Sequence, residues 1–379
     1  MKRGCTQCGE CLNVCPVFRE FSREEYSPKA KRLLLEPHDK NFAIDKVIPW
    51  AQVKRLARMC AGCGRCKQAC ARKLSTADLL ADARAGHPEW GQYLWEIWMN
   101  YMGPLWPTVG FAASLMPDSI TPEALKSSIA PAKALVNKKN IQPWVRIDPA
   151  PGAKVDTSSP LVVFGGCTAT RVRKQWMQKT DELLRRWGYT VLDPTGFTCC
   201  GGTMHHAGQY RAMNSMRDRN VDYWKSIGRP RIVAFCASCY HSLEEYAEAY
   251  LEGEEAKTWK KSLTPLSALL VEPMAWATSQ APARYGYHQP CHWNTGDKDM
   301  PFLKSIQPGL EKGTGLCCGM GGILKMSNPD LSMNMACSCL GGFAPEITNI
   351  VTGCSGCSMQ LQAAAPEGVS IYHWLDIVA

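Results

Sequence analysis

Twenty cysteines in a chain of 379 residues are grouped rather than scattered, and the grouping restricts the fold more than any other feature. Cys5, Cys8, Cys11 and Cys15 form one set, and Cys60, Cys63, Cys66 and Cys70 a second. Cys167, Cys199, Cys200, Cys236 and Cys239 form a third, and Cys291, Cys317, Cys318, Cys354 and Cys357 a fourth. Cys337 and Cys339 fall outside all four. Cys200, Cys236 and Cys239 are each followed by a cysteine 118 residues later, and Cys167 by one 124 residues later. Offsets this regular mark an internal repeat whose second copy is six residues shorter in its first half. The pattern divides the chain into a cysteine domain over 1–90, a Trp- and Pro-rich connecting segment with a linker over 91–160, and repeated units over 161–275 and 276–379.

The chain opens MKRGC, with no apolar signal-peptide stretch before Cys5. That argues against a secreted disulfide scaffold and for thiolates that bind metal or do chemistry in a reducing, cytoplasmic compartment. A hydrophobic fraction of 45% with 20% charged residues excludes a disordered or fibrous chain. Residues 1–86 hold 17 Lys and Arg against 9 Asp and Glu. This excess reads as compensation for bound anionic groups, with a docking face for an acidic electron-transfer partner as the alternative. It lacks interleaved aromatics or a reader module, so nucleic acid is not an expected partner.

Residues 94–116 carry one charge, Glu96, and three tryptophans, Trp95, Trp98 and Trp106. Gly103-Pro104 and Pro107 cut the run into pieces too short to span a bilayer. Two readings remain: a buried or interdomain pair of short helices, or a surface that rests on a membrane subunit. Residues 141–160, rich in Pro, Ser and Asp, read as a linker. Beyond it strands and helices alternate. Leu161–Phe164 and Arg231–Phe235 are strand candidates running into Cys167 and Cys236, and Ile347–Thr352 runs into Cys354. Val172, Trp176, Leu183, Leu184 and Trp187 share a helical face, and Asn328-Pro329 has N-cap chemistry for a helix over about 330–340. The fold class expected is α plus α/β: a helical N-terminal cysteine domain, then two repeated α/β units with parallel sheets, cysteines at the carboxyl ends of the strands.

CTQCGECLNVCP at 5–16 is C-x2-C-x2-C-x3-C-P, and CAGCGRCKQACA at 60–71 repeats it with Ala71 in place of proline. Three thiolates on one tight loop suit three corners of a [4Fe-4S] cube. In two-cluster ferredoxins the fourth cysteine of each run serves the other cluster. Cys5, Cys8, Cys11 and Cys70 are therefore assigned to one cubane, and Cys60, Cys63, Cys66 and Cys15 to the other. Structural zinc more often uses separated C-x2-C pairs. Two oxidised cubanes at about −2 each would lower the formal charge of +9 to about +5. The repeats read C-x31-CCG-x34-C-x2-C and C-x25-CCG-x34-C-x2-C, five thiols each, more than one cubane or one zinc needs. Cys337 and Cys339 align with Arg219 and Val221 of the first copy and read as ordinary buried thiols.

FGGC at 164–167, CCGGTMHHAG at 199–208, YHQPCH at 287–292, CCGMGG at 317–322 and TGCSGC at 352–357 resemble the cysteine-rich CCG domains of the heterodisulfide reductase family. Their fusion to a two-cluster ferredoxin domain is similar to the fused iron–sulfur polypeptide of that family, to glycolate and lactate oxidase iron–sulfur subunits, and to parts of membrane-bound respiratory complexes of sulfate reducers. The resemblance implies a noncubane [4Fe-4S] cluster at each five-cysteine set, one or two in all. It makes Cys167, Cys199, Cys200, Cys236 and Cys239 the catalytic set and Cys291, Cys317, Cys318, Cys354 and Cys357 cofactor ligands. His205, His206, His241, His288 and His292 lie near these sets in sequence. His206 and His292 are the expected catalytic histidines, able to protonate a leaving thiolate or donate a hydrogen bond.

No G-x-G-x-x-G opens a helix after a strand and no P-loop is present, so no flavin, nicotinamide or ATP site is expected. The function expected is an iron–sulfur subunit of a membrane-associated respiratory complex. It would be an oxidoreductase acting on a small disulfide or thiol, soluble by itself and peripherally attached through a cytochrome b-type or other electron-transfer subunit. The alternative is a non-catalytic electron conduit that docks a flavoprotein oxidising glycolate or lactate.

Overall fold

The structure, a computed structural model, describes residues 4–35, 50–116, 133, 142–293 and 296–379. In the N-terminal part, each cysteine loop turns on a glycine with left-handed backbone, Gly9 at φ 87° and Gly64 at φ 69°. A residue with a Cβ would be strained there. The glycines open the short helices Glu10–Asn13 and Arg65–Ala69. Cys15 caps the helix Pro16–Phe21, its Sγ accepting the Phe18 N–H at 3.4 Å, with Pro16 in the first turn where its missing N–H costs nothing. Ser75 caps the helix Thr76–Gly86 by accepting from Asp78 N at 3.2 Å.

The tryptophan-rich segment forms the helices Trp90–Asn100 and Trp106–Ser114, broken at Gly103–Leu105. It is two-faced rather than buried. Met99 and Trp106 pack on Met204, Met213 and Met216 of the first repeat, whereas Trp90, Tyr93, Leu94, Ile97, Tyr101, Phe111 and Leu115 are exposed. Among the described residues no helix is long and apolar enough to cross a membrane.

The linker expectation needs correction at one point. Val145–Pro149 is a strand, β1, paired antiparallel with β6, Pro273–Ala277. Val145 and Ile147 turn inward while Arg146 faces solvent, a two-residue period that the surrounding Pro and Asp obscure in the sequence.

The repeat is explicit in the sheets. β2 (Leu161–Phe164), β3 (Val191–Leu192), β4 (Arg231–Ala234) and β5 (Leu263–Pro265) form a parallel sheet in the order β3-β2-β4-β5. β7 (Tyr285–His288), β8 (Leu310–Lys312), β9 (Asn349–Thr352) and β10 (Ser370–His373) form a second parallel sheet in the equivalent order β8-β7-β9-β10. β7 begins 124 residues after β2 and β9 begins 118 after β4, the same offsets as the cysteines that follow them. β2 and β7 are buried along their whole length, as expected for parallel strands covered on both faces. In each sheet the strand order reverses between the first and third strands, where α/β sheets bind ligands. Cys167 and Cys236, and Cys291 and Cys354, follow those strands.

One apolar core serves both sheets. It runs from Phe164, Trp176, Val233 and Trp259 to Tyr287, Val351 and Trp374. A smaller cluster joins Val17, Tyr26 and Ala61 of the ferredoxin-type part to Leu324, Leu331 and Met335 of the second repeat.

Candidate iron–sulfur sites

Two cavities in the N-terminal part are lined by thiols. Cys15, Cys60, Cys63 and Cys66 line one; Cys5, Cys8, Cys11 and Cys70 line the other, and Cys66 lines both. Cys15 thus lies with the second motif and Cys70 with the first. Backbone N–H groups of Gln7 and Gly62 reach Cys5 Sγ and Cys60 Sγ, each at 3.4 Å. Burial pushes the Cys11 and Cys15 thiols up to about 11.

Cations crowd these thiols. Lys31, 2% exposed, donates to the Met59 carbonyl and lies near Cys60, Cys15 and Cys66. Arg65 lies among Cys63, Cys291, Cys317 and Cys318. Arg84 is buried near Cys60 and donates to the carbonyls of Ala57 and His206. None of the three is ion-paired to a carboxylate among the described residues. Buried positive charge is costly unless compensated. This donor set therefore fits an anionic, sulfur-ligated group.

The ten repeat cysteines do not form two separate nests. Side-chain contacts run without a break from Cys167 to Cys199, Cys200, Cys239 and Cys236. They continue across the repeat boundary to Cys354, then to Cys357, Cys318, Cys317 and Cys291. Cys318 Sγ and Cys357 Sγ are 3.1 Å apart. At the boundary Ser238 Oγ lies 3.3 Å from Cys236 Sγ and 3.4 Å from Cys354 Sγ. The far end of this line meets the ferredoxin-type part, where Cys63 neighbours Cys317 and Cys291. Adjacent thiols cannot all ionise. Hydrogen bonds from Cys239 and Cys354 hold Cys236 well below the ordinary thiol value, and the contact with Cys236 pushes Cys354 up to about 12.

The boundary is built from two helix starts. Cys236 immediately precedes the helix Ala237–Ala249 and Cys354 the helix Ser355–Ala364, each at the N-cap position without a capping bond from its own sulfur. Ala237 N donates to the Gly353 carbonyl at 2.9 Å, and Ser355 N to Cys236 Sγ at 3.3 Å. Helix N-termini favour anionic sulfur.

His206 packs on the loop of the second ferredoxin motif: a Cβ on Gly62 would lie 2.8 Å from its ring. Burial holds His206 down to about 3, helped by the fields of His205 and His292. His292 stacks on His241 with ring centroids 5.0 Å apart, and burial holds it down to about 4. Both are therefore neutral at pH 7. His205 Nε2 lies 3.5 Å from Asp78 Oδ1, and His241 Nε2 3.6 Å from Glu245 Oε1. Cys337 is exposed, contrary to the expected buried thiol, because the helix Pro329–Leu340 turns it outward and Cys339 inward.

Three features escape sequence inspection. Arg65 joins the N-terminal and second-repeat thiols, yet reads as one more surface cation. His288 is bound to Cys339, as described below. Gly321 and Gly322 let the Ala61–Gly62 backbone approach the second repeat: a Cβ on Gly321 would lie 2.3 Å from the Ala61 carbonyl oxygen. The available signal was the pair's absence from the first copy, where Thr203 and Met204 stand 118 residues earlier.

The profile of the 4Fe-4S dicluster domain matches residues 2–74, and that of the cysteine-rich domain matches 161–244 and 285–362. The class is thus a dicluster iron–sulfur domain joined to two cysteine-rich domains. The probable glycolate oxidase iron–sulfur subunit of Bacillus subtilis is 23% identical over 97% of this chain and 90% of its own. A polypeptide of the dihydromethanophenazine:CoB–CoM heterodisulfide reductase of Methanosarcina acetivorans is 24% identical over 88% of this chain and 81% of its own. A polypeptide of the fumarate reductase (CoM/CoB) of Methanothermobacter marburgensis is 27% identical over 88% of this chain and 62% of its own length. The chain thus combines a 4Fe-4S dicluster domain with two cysteine-rich domains and is related, at modest identity over most of its length, to heterodisulfide reductase polypeptides and glycolate oxidase iron–sulfur subunits. It is an iron–sulfur electron-transfer subunit of an oxidoreductase.

Proposed function

We propose that the chain serves a membrane-associated redox complex in which the two cysteine-rich domains reduce a small disulfide or oxidise thiols. The observation that carries the reading is the unbroken line of ten repeat cysteines, which meets the ferredoxin-type thiols at Cys63. Cys5, Cys8, Cys11 and Cys70 would hold one cubane, and Cys60, Cys63, Cys66 and Cys15 the other. The ten repeat cysteines would hold one or two noncubane clusters. When bound, such groups supply one-electron storage at potentials set by their surroundings. Reducing one disulfide takes two electrons, delivered by a partner protein of the complex, and two protons. His206 and His292, neutral at pH 7, would serve by offering ring N–H hydrogen bonds to sulfur. The helices Trp90–Asn100 and Trp106–Ser114 cover the Cys199 side and keep bulk water from it. Their exposed outer face is a suitable seat for a cytochrome b-type or other membrane subunit.

A second reading is favoured by the similarity to the glycolate oxidase iron–sulfur subunit and to lactate utilization protein A of Exiguobacterium. In it the chain is a conduit docked to a flavoprotein that oxidises a 2-hydroxy acid. Iron and sulfide analysis with EPR on anaerobically purified protein, with and without thiols, separates the two. Two cubanes alone give about 8 Fe and two further clusters about 16. Iron near 8 with no thiol-sensitive signal refutes the disulfide reading, and zinc without sulfide refutes both.

A further inference from the structure

The two repeats differ where β2 and β7 end. His288 closes β7, whereas Phe164 closes β2 124 residues earlier, and Cys339 stands where the first copy has Val221. A histidine and a thiol have replaced two apolar side chains together, in the core. Both are buried, at 3% and 2% exposure.

Cys339 Sγ lies 3.3 Å from His288 Nδ1 and 3.6 Å from the Leu316 carbonyl oxygen. The carbonyl only accepts, so the thiol proton points to it, and the sulfur accepts from Nδ1–H. These partners assign the ring proton to Nδ1 and leave a lone pair on Nε2, which has no hydrogen-bond partner among the described residues. A ring nitrogen of His288 lies within 4.8 Å of the Sγ atoms of Cys318 and Cys357, forming a compact set of three donors. Metal-binding histidines commonly have their second nitrogen fixed by another group, and Cys339 fills that role here.

We propose that His288 supplies a nitrogen donor to iron held by Cys318 and Cys357, so that the second site is a mixed sulfur–nitrogen site and the first an all-sulfur one. Cys339 is a positioning residue that sets the ring's tautomer and direction. The proposal rests on the reading that the second cysteine set holds an iron–sulfur group, and extends it to a residue outside the five-cysteine pattern. The test uses full-length protein purified anaerobically with 15N-histidine or natural-abundance histidine. Pulsed EPR is recorded alongside iron and sulfide content. The expected result is an isotope-sensitive histidine coupling that is lost in His288→Phe, the first copy's own residue, and altered in Cys339→Val. A coupling that persists unchanged in both variants overturns the proposal. So does the absence of any such coupling in protein whose iron content falls in the Cys318→Ser/Cys357→Ser double variant. Iron content unchanged in that double variant instead refutes the underlying reading that this site is loaded.

Discussion

Gly321→Ala should loosen the seam between the ferredoxin-type loop and the second repeat, and its cost can be worked from distances. The new Cβ would lie 2.3 Å from the Ala61 carbonyl oxygen, against about 3.3 Å for an ordinary carbon–oxygen contact. One side must therefore retreat by about 1 Å. Ala61 is 2% exposed, and Gly322 lies 3.1 Å from where a Cβ of Gly62 would stand, so neither strand of the seam has room to recoil. Overpacking of this kind costs about 1–3 kcal/mol. At 2–4 °C per kcal/mol the unfolding midpoint should fall by roughly 2–12 °C. Gly321 has an ordinary backbone, whereas Gly322 is left-handed at φ 63°, so the cost at 321 is steric alone. Gly91→Ala is the control: nothing lies within 4 Å of its Cβ, and it sits in the helix Trp90–Asn100. There alanine should stabilise by about 0.5–1 kcal/mol. Anaerobic thermal unfolding followed by visible absorption, with hydrogen exchange over residues 60–66, reads both effects. If Gly321→Ala matches Gly91→Ala in midpoint and exchange, the seam is not tight and the reasoning fails.

Trp106→Ala should cost about 3–5 kcal/mol, since Trp106 is buried, stacked on Trp98 at 5.7 Å and covered by Arg171 at 4.5 Å. Trp90→Ser and Phe111→Ser, on the exposed face, should stay within about 0.5 kcal/mol, and urea midpoints that fail to separate the two classes would contradict the two-faced description. Burial pushes the Asp299 carboxyl up to about 7, so its stability contribution is fully present below pH 3.8 and is lost as pH rises through 7. Asp299→Asn should therefore gain stability relative to the parent between pH 5 and pH 8; an equal difference at both pH values would refute the shift. Cys337→Ser should leave iron content and stability unchanged because the thiol is exposed, and iron loss in that variant would show a role that its location does not explain.

The repeat, the strands leading into cysteines and the helix cap at Asn328, whose side chain accepts from Leu331 N, were legible because each rests on local chemistry or equal spacing. The strand Val145–Pro149 was not, since its partner Pro273–Ala277 lies far along the chain and composition favoured a linker. The outward half of the tryptophan helices was also hidden, because apolar composition does not say which face a neighbour covers. At the sites, cysteine spacing identified the thiols. It could not show that the third and fourth sets touch at Cys236 and Cys354, because that contact depends on how two sheets are set against each other. His288 stood out only as one of several nearby histidines. Its pairing with Cys339 brings together residues 51 positions apart.

The bond from Ala237 N to the Gly353 carbonyl, at the mouth of both sheets, has a consequence for how the two halves live together. Each repeat supplies part of the other's helix start, and both draw on one apolar interior. Cutting the chain near residue 280 would not release two small stable modules. Each half would lose a hydrogen-bond partner at its helix start and bare the large side chains of the shared core. The duplicated halves have become obligate neighbours, so sequence drift in one is answerable to the shape of the other.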